Sequence, residues 1–186
     1  MEAIMDRLWQ ELSIIDEIGD EDLRAKVRLT METAIERAGW TEDNIFEIPF
    51  TLLIPGTNVS LVEHTKQVTE MALDNAERMA GAYEDYKFDR DVLIAGGILH
   101  DVGKFLEYKY EDGAFVKSEI GKYLRHPFSG CAIAYEMGLP PAVCHCIAVH
   151  AHEGDGGWRS LEAIAINKAD FTNFHSLKEL HYRKNI

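Results

Sequence analysis

The residues with the clearest chemical potential are an adjacent histidine and aspartate, His100–Asp101, at the end of the apolar segment DVLIAGGILHD. An imidazole nitrogen and a carboxylate side by side offer two ligand atoms to one metal ion. An ionised carboxylate inside an apolar helix is costly unless a cation compensates it. No lysine or arginine lies within the nine residues before Asp101, and Lys104 is the nearest one after it. The sequence therefore offers two compensators for this charge, a bound metal and Lys104.

Further ligand candidates are spread along the chain, and the helical pattern places each at a helix end or inside a largely apolar helix. These candidates are His64, His126, His150 and Asp170. Helical bundles build interior metal sites in this way, with one nitrogen or oxygen ligand from each of several helices. Imidazole and carboxylate ligands without a required cysteine suit divalent Fe, Mn, Co or Zn, and they do not select one of them.

Each candidate also has a purely structural interpretation, which stays open at this point. His126 could simply begin a helix, His150 could be a hydrogen-bonded core histidine, and Asp170 could be a surface acid. Lys104 could be a cation favoured by the dipole at a helix end. Arg125, just before His126, either adds positive charge at the mouth of a site or is solvated. The ordered set of six residues indicates a metal site, and no single residue of the set does so alone.

The order H…HD…H…H…D, with HDVGK at residues 100–104, resembles the HD superfamily of metal-dependent phosphohydrolases, and within it the HDIG-type proteins. The resemblance covers roughly residues 58–175. It implies an enzyme that hydrolyses a phosphomonoester or phosphodiester bond, as in a nucleotide, with a metal-bound hydroxide as the nucleophile. It also implies that Asp101 and Lys104 are catalytic, with the Lys104 ammonium binding a substrate phosphate.

The resemblance further implies a centre of two divalent metal ions. The ligands implied for the first ion are His64, His100, Asp101 and Asp170. The ligands implied for the second ion are Asp101, as a bridge, with His126 and His150. Two other functions share these ligands and remain as alternatives: a di-iron oxygenase of the HD type acting on a small polar substrate, and a non-catalytic module that binds a nucleotide.

The segment HAHEGDGGW at residues 150–158 is also similar to the HHExxDGxGYP segment of the HD-GYP cyclic-dinucleotide phosphodiesterases. Ala151 separates the two histidines here, and Gly157–Trp158 replace the GYP ending. These departures argue against that specific activity. They also favour a loop position for His152 over a ligand role.

Composition sets limits on the partners of the chain. Its 186 residues carry a net charge of −13, so most of its surface should repel duplex nucleic acid and anionic lipid. Recognition of a phosphate must then come from a metal or from a few local cations. No apolar run is long enough for a membrane span, and three cysteines form no disulfide framework. We therefore expect a cytoplasmic protein acting on a small-molecule phosphoester or nucleotide.

Helical periodicity runs through nearly the whole chain and predicts an all-α bundle like that of the HD domains. Residues 1–48 should form an N-terminal helical hairpin, whose two helices end at Gly19 and Gly39. This hairpin would either cover the site or form a homodimer interface. Residues 49–178 should form the metal-binding domain, and residues 179–186 a polar tail. The predicted elements of that domain are helices at about 60–79, 89–101, 126–138, 141–150 and 160–176, and a short β-hairpin within 107–118.

Overall fold

The computed structural model describes residues 2–184, and within them the chain is helical apart from a two-stranded β-hairpin and the connecting loops. The helices are α1 Glu2–Glu11, α2 Glu21–Ala38, α3 Glu42–Ile45, α4 Leu61–Ala82, α5 Arg90–Leu99, α6 Lys104–Glu107, α7 Glu119–Tyr123, α8 His126–Glu136, α9 Pro141–Val149 and α10 Leu161–Lys184. Strands β1 Tyr108–Glu111 and β2 Ala114–Lys117 pair antiparallel. The predicted all-α fold with one short β-hairpin is confirmed.

The first predicted helix is divided in the structure. Helix α1 ends at Glu11, and a 3-10 turn follows at Ser13–Glu17. The reason is the spacing of the apolar residues, because Leu12, Ile15 and Ile18 recur at every third position and all are buried. A helix of three residues per turn aligns side chains at this spacing directly above one another, whereas an α-helix turns each of them by a further angle of about 60°. Backbone hydrogen bonds from Ile15 N to Leu12 O and from Ile18 N to Ile15 O fix that geometry.

The N-terminal helices pack against the rest of the chain through specific polar contacts as well as apolar ones. The Asp91 carboxylate, in the first turn of α5, accepts hydrogen bonds from Gly19 N at 3.0 Å and Asp20 N at 2.9 Å. The indole of Trp40 donates to Phe105 O at 2.9 Å in a buried contact. The division of the chain at residue 48 stays a prediction.

Helix α4 begins where the sequence predicts, because its N-terminal capping box is formed. Ser60 Oγ accepts from Glu63 N at 3.1 Å, and the Glu63 carboxylate accepts from Ser60 N at 2.8 Å. This reciprocal pairing satisfies backbone donors that the helix itself leaves free. It fixes the position of the first turn, which directs His64 into the core, where it is buried.

Helix α5 lies at the centre of the bundle, and all its residues from Val92 to Leu99 are buried. Its paired glycines allow close contact with neighbouring helices. A Cβ atom added at Gly96 would lie 2.7 Å from Cys146 Cβ in α9, and one added at Gly97 would lie 2.9 Å from Thr69 Cγ2 in α4. This close approach of three helices offsets the poor helix propensity of the two glycines.

Helix α10 continues to Lys184, about two turns beyond the predicted end near residue 176. The added turns carry an i,i+4 pair, in which Arg183 Nε donates to Glu179 at 2.8 Å, and basic residues in the last turn. Both features stabilise a helix C-terminus. Residues 185 and 186 of the predicted tail lie outside the described residues. Among the helices of residues 2–184, none is long and apolar enough to cross a membrane.

Candidate metal centre

The Asp101 carboxylate, just after α5, lies between two pairs of histidine rings. Its Oδ2 is 3.3 Å from His64 Nε2 and 3.4 Å from His100 Nε2. Its Oδ1 is 3.2 Å from His126 Nε2 and 3.5 Å from His150 Nε2. All five side chains are buried. The structure thus forms two groups of possible metal ligands that share Asp101, with one carboxylate oxygen facing each histidine pair.

The outer nitrogen of each ring is hydrogen-bonded, which orients the inner nitrogen. The Nδ1 partners are Asn173 Oδ1 for His64 at 2.9 Å, Gly97 O for His100 at 2.6 Å, Glu107 Oε2 for His126 at 3.0 Å and Ile147 O for His150 at 2.8 Å. A carbonyl or carboxylate oxygen only accepts, so the ring donates from Nδ1. In the neutral ring, Nε2 then has a lone pair directed towards Asp101, which is the tautomer that binds a metal.

These inner atoms fit divalent metal ions. Within residues 2–184, Asp101 Oδ1 is buried and has no hydrogen-bond partner. The Nε2 atoms of His126 and His150 are only 3.2 Å apart, and those of His64 and His100 are 3.4 Å apart. Lone pairs held this close to one another and to a carboxylate oxygen need a shared cation or proton. A metal at each pair would satisfy the carboxylate and both nitrogens at once.

The charges around the centre also call for a cation. Burial alone would raise the pKa of Asp101, but Lys104 and the surrounding imidazoles hold it well below its usual range. Burial lowers the pKa of His64, but hydrogen bonds to Asp101 and Asp170 outweigh this and raise it to about 9. Burial lowers the pKa of His126 to about 4, which keeps that ring neutral. Positive charge is therefore favoured at His64 Nε2, where a bound metal would replace the proton.

Asp170 approaches the centre from α10 and meets only one side of it. Its Oδ1 lies 3.2 Å from His64 Nε2, and its side chain is 17% exposed, in contrast to Asp101. It does not belong to either of the two tight ligand groups found among residues 2–184. Burial would raise the pKa of Asp170, but hydrogen bonding to His64 lowers it, so the carboxylate is ionised.

Lys104 is buried beside Asp101 and provides the second expected compensator. Its Nζ donates to Asp101 Oδ2 at 2.6 Å and to Phe50 O at 2.6 Å. Burial opposes the charge of this ammonium, but the Asp101 carboxylate raises the pKa of Lys104. Lys104 also lines the cleft next to the centre, and its ammonium has a third N–H besides the two in these hydrogen bonds.

Glu107, at the end of α6, is a site residue that the sequence analysis missed. It is 1% exposed, and its Oε2 accepts from both His126 N at 2.7 Å and His126 Nδ1 at 3.0 Å. Burial would raise the pKa of Glu107, but these hydrogen bonds lower it to about 2. Its sequence context, KFLEY, contains no ligand spacing, and the one available signal was an acid in an apolar and aromatic segment.

A cleft of about 190 Å³ opens beside the centre. Lys104, His126 and Asp170 contribute to its wall, so a molecule in the cleft can reach the ligand atoms. Arg125 also lines the cleft, and its side chain is 47% exposed, so it lies at the mouth of the site and is partly solvated. His152 has a side chain that is 78% exposed and pairs with Asp155 at 3.0 Å, in agreement with the loop position expected for it.

Comparison with known proteins adds an independent observation. The family model of the HD domain matches residues 61–172. The chain is also similar to the dihydroneopterin 2',3'-cyclic phosphate phosphodiesterase of Methanocaldococcus jannaschii, with 30% identity over 177 residues, which cover 89% of this chain and 67% of that protein. No solved structure matches the chain.

Proposed function

The chain belongs to the HD domain family and is an HD-type phosphohydrolase, and we propose that its substrate is a small cyclic phosphodiester of a nucleotide-like molecule. One observation carries this proposal: Asp101 presents one carboxylate oxygen to each of two histidine pairs, beside a cleft that a small molecule can enter. The relative from Methanocaldococcus jannaschii acts on a 2',3'-cyclic phosphate, and this bond is the first candidate here.

We propose that the centre holds two divalent metals. His64, His100, Asp101 and Asp170 would hold the first, and Asp101, His126 and His150 the second. The ligands suit Fe, Mn, Co or Zn and do not select one of them. When bound, such ions polarise the phosphoryl oxygens and lower the pKa of a bound water.

Side chains of the protein orient the metal ligands and place a positive charge beside them. The four Nδ1 hydrogen bonds hold the rings with Nε2 facing inward before any ligand enters, which removes a reorganisation cost. Lys104 is fixed between Asp101 and Phe50, so its charge lies at the edge of the cleft, where a phosphoryl oxygen can accept from it. Residues Val92 to Leu99 of α5 are buried in the apolar core, so water approaches the centre from the side of the cleft.

The test is hydrolysis by metal-reconstituted protein of dihydroneopterin 2',3'-cyclic phosphate and of nucleoside 2',3'-cyclic phosphates. We expect turnover that Asp101→Asn reduces by about two orders of magnitude or more, since it removes the shared ligand. The matched control is Asp74→Asn, which changes an exposed carboxylate on α4. Metal-loaded wild-type protein that hydrolyses none of these substrates would contradict the proposal. Oxygen consumption or tight nucleotide binding without turnover would then favour an oxygenase or a binding module.

A further inference from the structure

The cleft has two chemically different walls besides the metal centre. One wall carries cationic side chains around Glu107, and the other carries aromatic rings from α10 and from the segment at residues 50–53. The metal ligands account for neither wall. A substrate that matched both would need an anionic group and a flat apolar group.

The aromatic wall is a continuous row of rings. We call it the aromatic arc and define it as Phe50, Phe174, His175, Phe171 and His152. The ring centroids are 6.2 Å apart for Phe50 and Phe174, 5.5 Å for Phe174 and His175, 5.5 Å for Phe171 and His175, and 4.9 Å for His152 and Phe171. Its helical members share one face of α10, because they are three and four residues apart.

Part of this apolar surface is accessible to solvent, although Phe50 at one end of the arc is fully buried. Phe171 and Phe174 are half-buried, and Leu53, which also lines the cleft, is 70% exposed. Large apolar side chains grouped beside a reactive centre are typical of a surface that a ligand covers. The ring faces suit a planar group, because aromatic rings stack offset or edge-to-face with one another.

The cationic wall consists of Lys117 and Arg125. Lys117 Nζ lies 3.3 Å and Arg125 Nη1 lies 3.8 Å from Glu107 Oε1, and both side chains are nearly half exposed. One buried carboxylate thus holds two cations at the cleft, and each keeps N–H donors free of that contact. Arg125 Nε also donates to Glu153 Oε1 at 3.1 Å, so two carboxylates balance the two cations, and an anion here would be bound through their remaining N–H donors.

We propose that the aromatic arc is the subsite for a planar heteroaromatic ring of the substrate, and that Lys117 and Arg125 bind its phosphate at the side of the metal centre. This inference rests on the proposed phosphohydrolase function and deepens it. The ligand class is therefore a phosphate ester of one nucleoside-like unit. Phe171 is the specificity residue most open to test, since it is half-buried and lies between His152 and His175.

The experiment compares guanosine 2',3'-cyclic phosphate with 1-O-methylribose 2',3'-cyclic phosphate, which has the same phosphodiester without the base. Base–aromatic stacking favours the first substrate by roughly tenfold or more in kcat/KM. We expect Phe171→Ala to bring that ratio close to one. The matched control is Tyr182→Ala, an exposed aromatic on the same helix that does not line the cleft, and it should keep the wild-type ratio.

Failure of this inference can be distinguished from failure of the proposed function. If both substrates are hydrolysed and Phe171→Ala leaves the ratio of their kcat/KM values unchanged, the aromatic subsite is overturned. The proposed phosphohydrolase function then still stands. If neither substrate is hydrolysed, calorimetric titration with guanosine 2'-phosphate still tests the subsite, since binding needs no turnover. Binding roughly tenfold weaker in Phe171→Ala supports the subsite, and equal binding by both proteins overturns it.

Discussion

Glu107 Oε2 accepts two hydrogen bonds from one residue, His126, at 2.7 Å from its backbone nitrogen and at 3.0 Å from its Nδ1. The two bonds fix the start of α8 and the rotation of the ring together. The other oxygen of the same carboxylate faces Lys117 and Arg125. Glu107 therefore connects a proposed metal ligand with the cations of the cleft, and its negative charge is stabilised by hydrogen bonds on one side and by the two cations on the other.

The first prediction concerns Glu107→Gln. The amide keeps the size of the side chain but loses its charge, and its NH2 group must face either the N–H donors of His126 or the two cations. Either arrangement weakens the hold on His126. We expect the affinity of the proposed second metal position to fall about 10- to 100-fold, as found for other outer-shell partners. Titration of metal-free protein with Mn²⁺ or Zn²⁺ measures this change.

The matched control for this prediction is Glu119→Gln, since Glu119 is an exposed acid that pairs with Lys122 on α7. It should leave metal affinity unchanged. Circular dichroism of both variants checks that the fold is intact. If a folded Glu107→Gln protein bound metal with unchanged stoichiometry and affinity, His126 would not need this carboxylate to act as a ligand.

The second prediction concerns how the free energy of unfolding of the metal-free protein depends on pH. The folded pKa of His64 is about 9 and its reference value is 6.5, so folding favours the protonated ring. This contribution is fully present below pH 6.5 and is lost as the pH rises through 9. It corresponds to about 3 kcal/mol at most. Urea unfolding in the presence of chelator, between pH 6 and 9.5, measures the free energy of unfolding.

The comparison protein for that measurement is His64→Gln, which lacks the titrating ring. Its free energy of unfolding should vary less over this range than that of the wild type. The ammonium of Lys104 does not produce the same effect, because its pKa is raised from 10.5, above this window. If the free energy of unfolding changed with pH in the same way in both proteins, the raised pKa of His64 would be contradicted.

The sequence predicted the fold and the residues that meet at Asp101, because helical periodicity and ligand type are local properties. His64 follows a capping box, and His100 ends an apolar helix, so the positions of both could be inferred from neighbouring residues. Glu107 could not be inferred in this way, since its role depends on His126, 19 residues later. The same holds for the contact of Lys104 with Phe50, 54 residues earlier. Long-range pairing of this kind leaves no spacing pattern in a single sequence.

The third prediction concerns Gly103, which allows α8 to approach the turn after Asp101. A Cβ atom at this position would lie 2.1 Å from His126 O and 2.7 Å from Gly130 N, and both are backbone atoms that cannot rotate away. Gly103→Ala must therefore move α8, and His126 with it. We expect a loss of about 1–3 kcal/mol in unfolding free energy, as for other overpacked sites, together with weaker metal binding. The control is Gly81→Ala on α4, where nothing lies within 4 Å of the added atom and helix propensity predicts a slight gain in stability. Equal stability and metal affinity in Gly103→Ala and Gly81→Ala would show that the contact between Gly103 and α8 is not required to place His126.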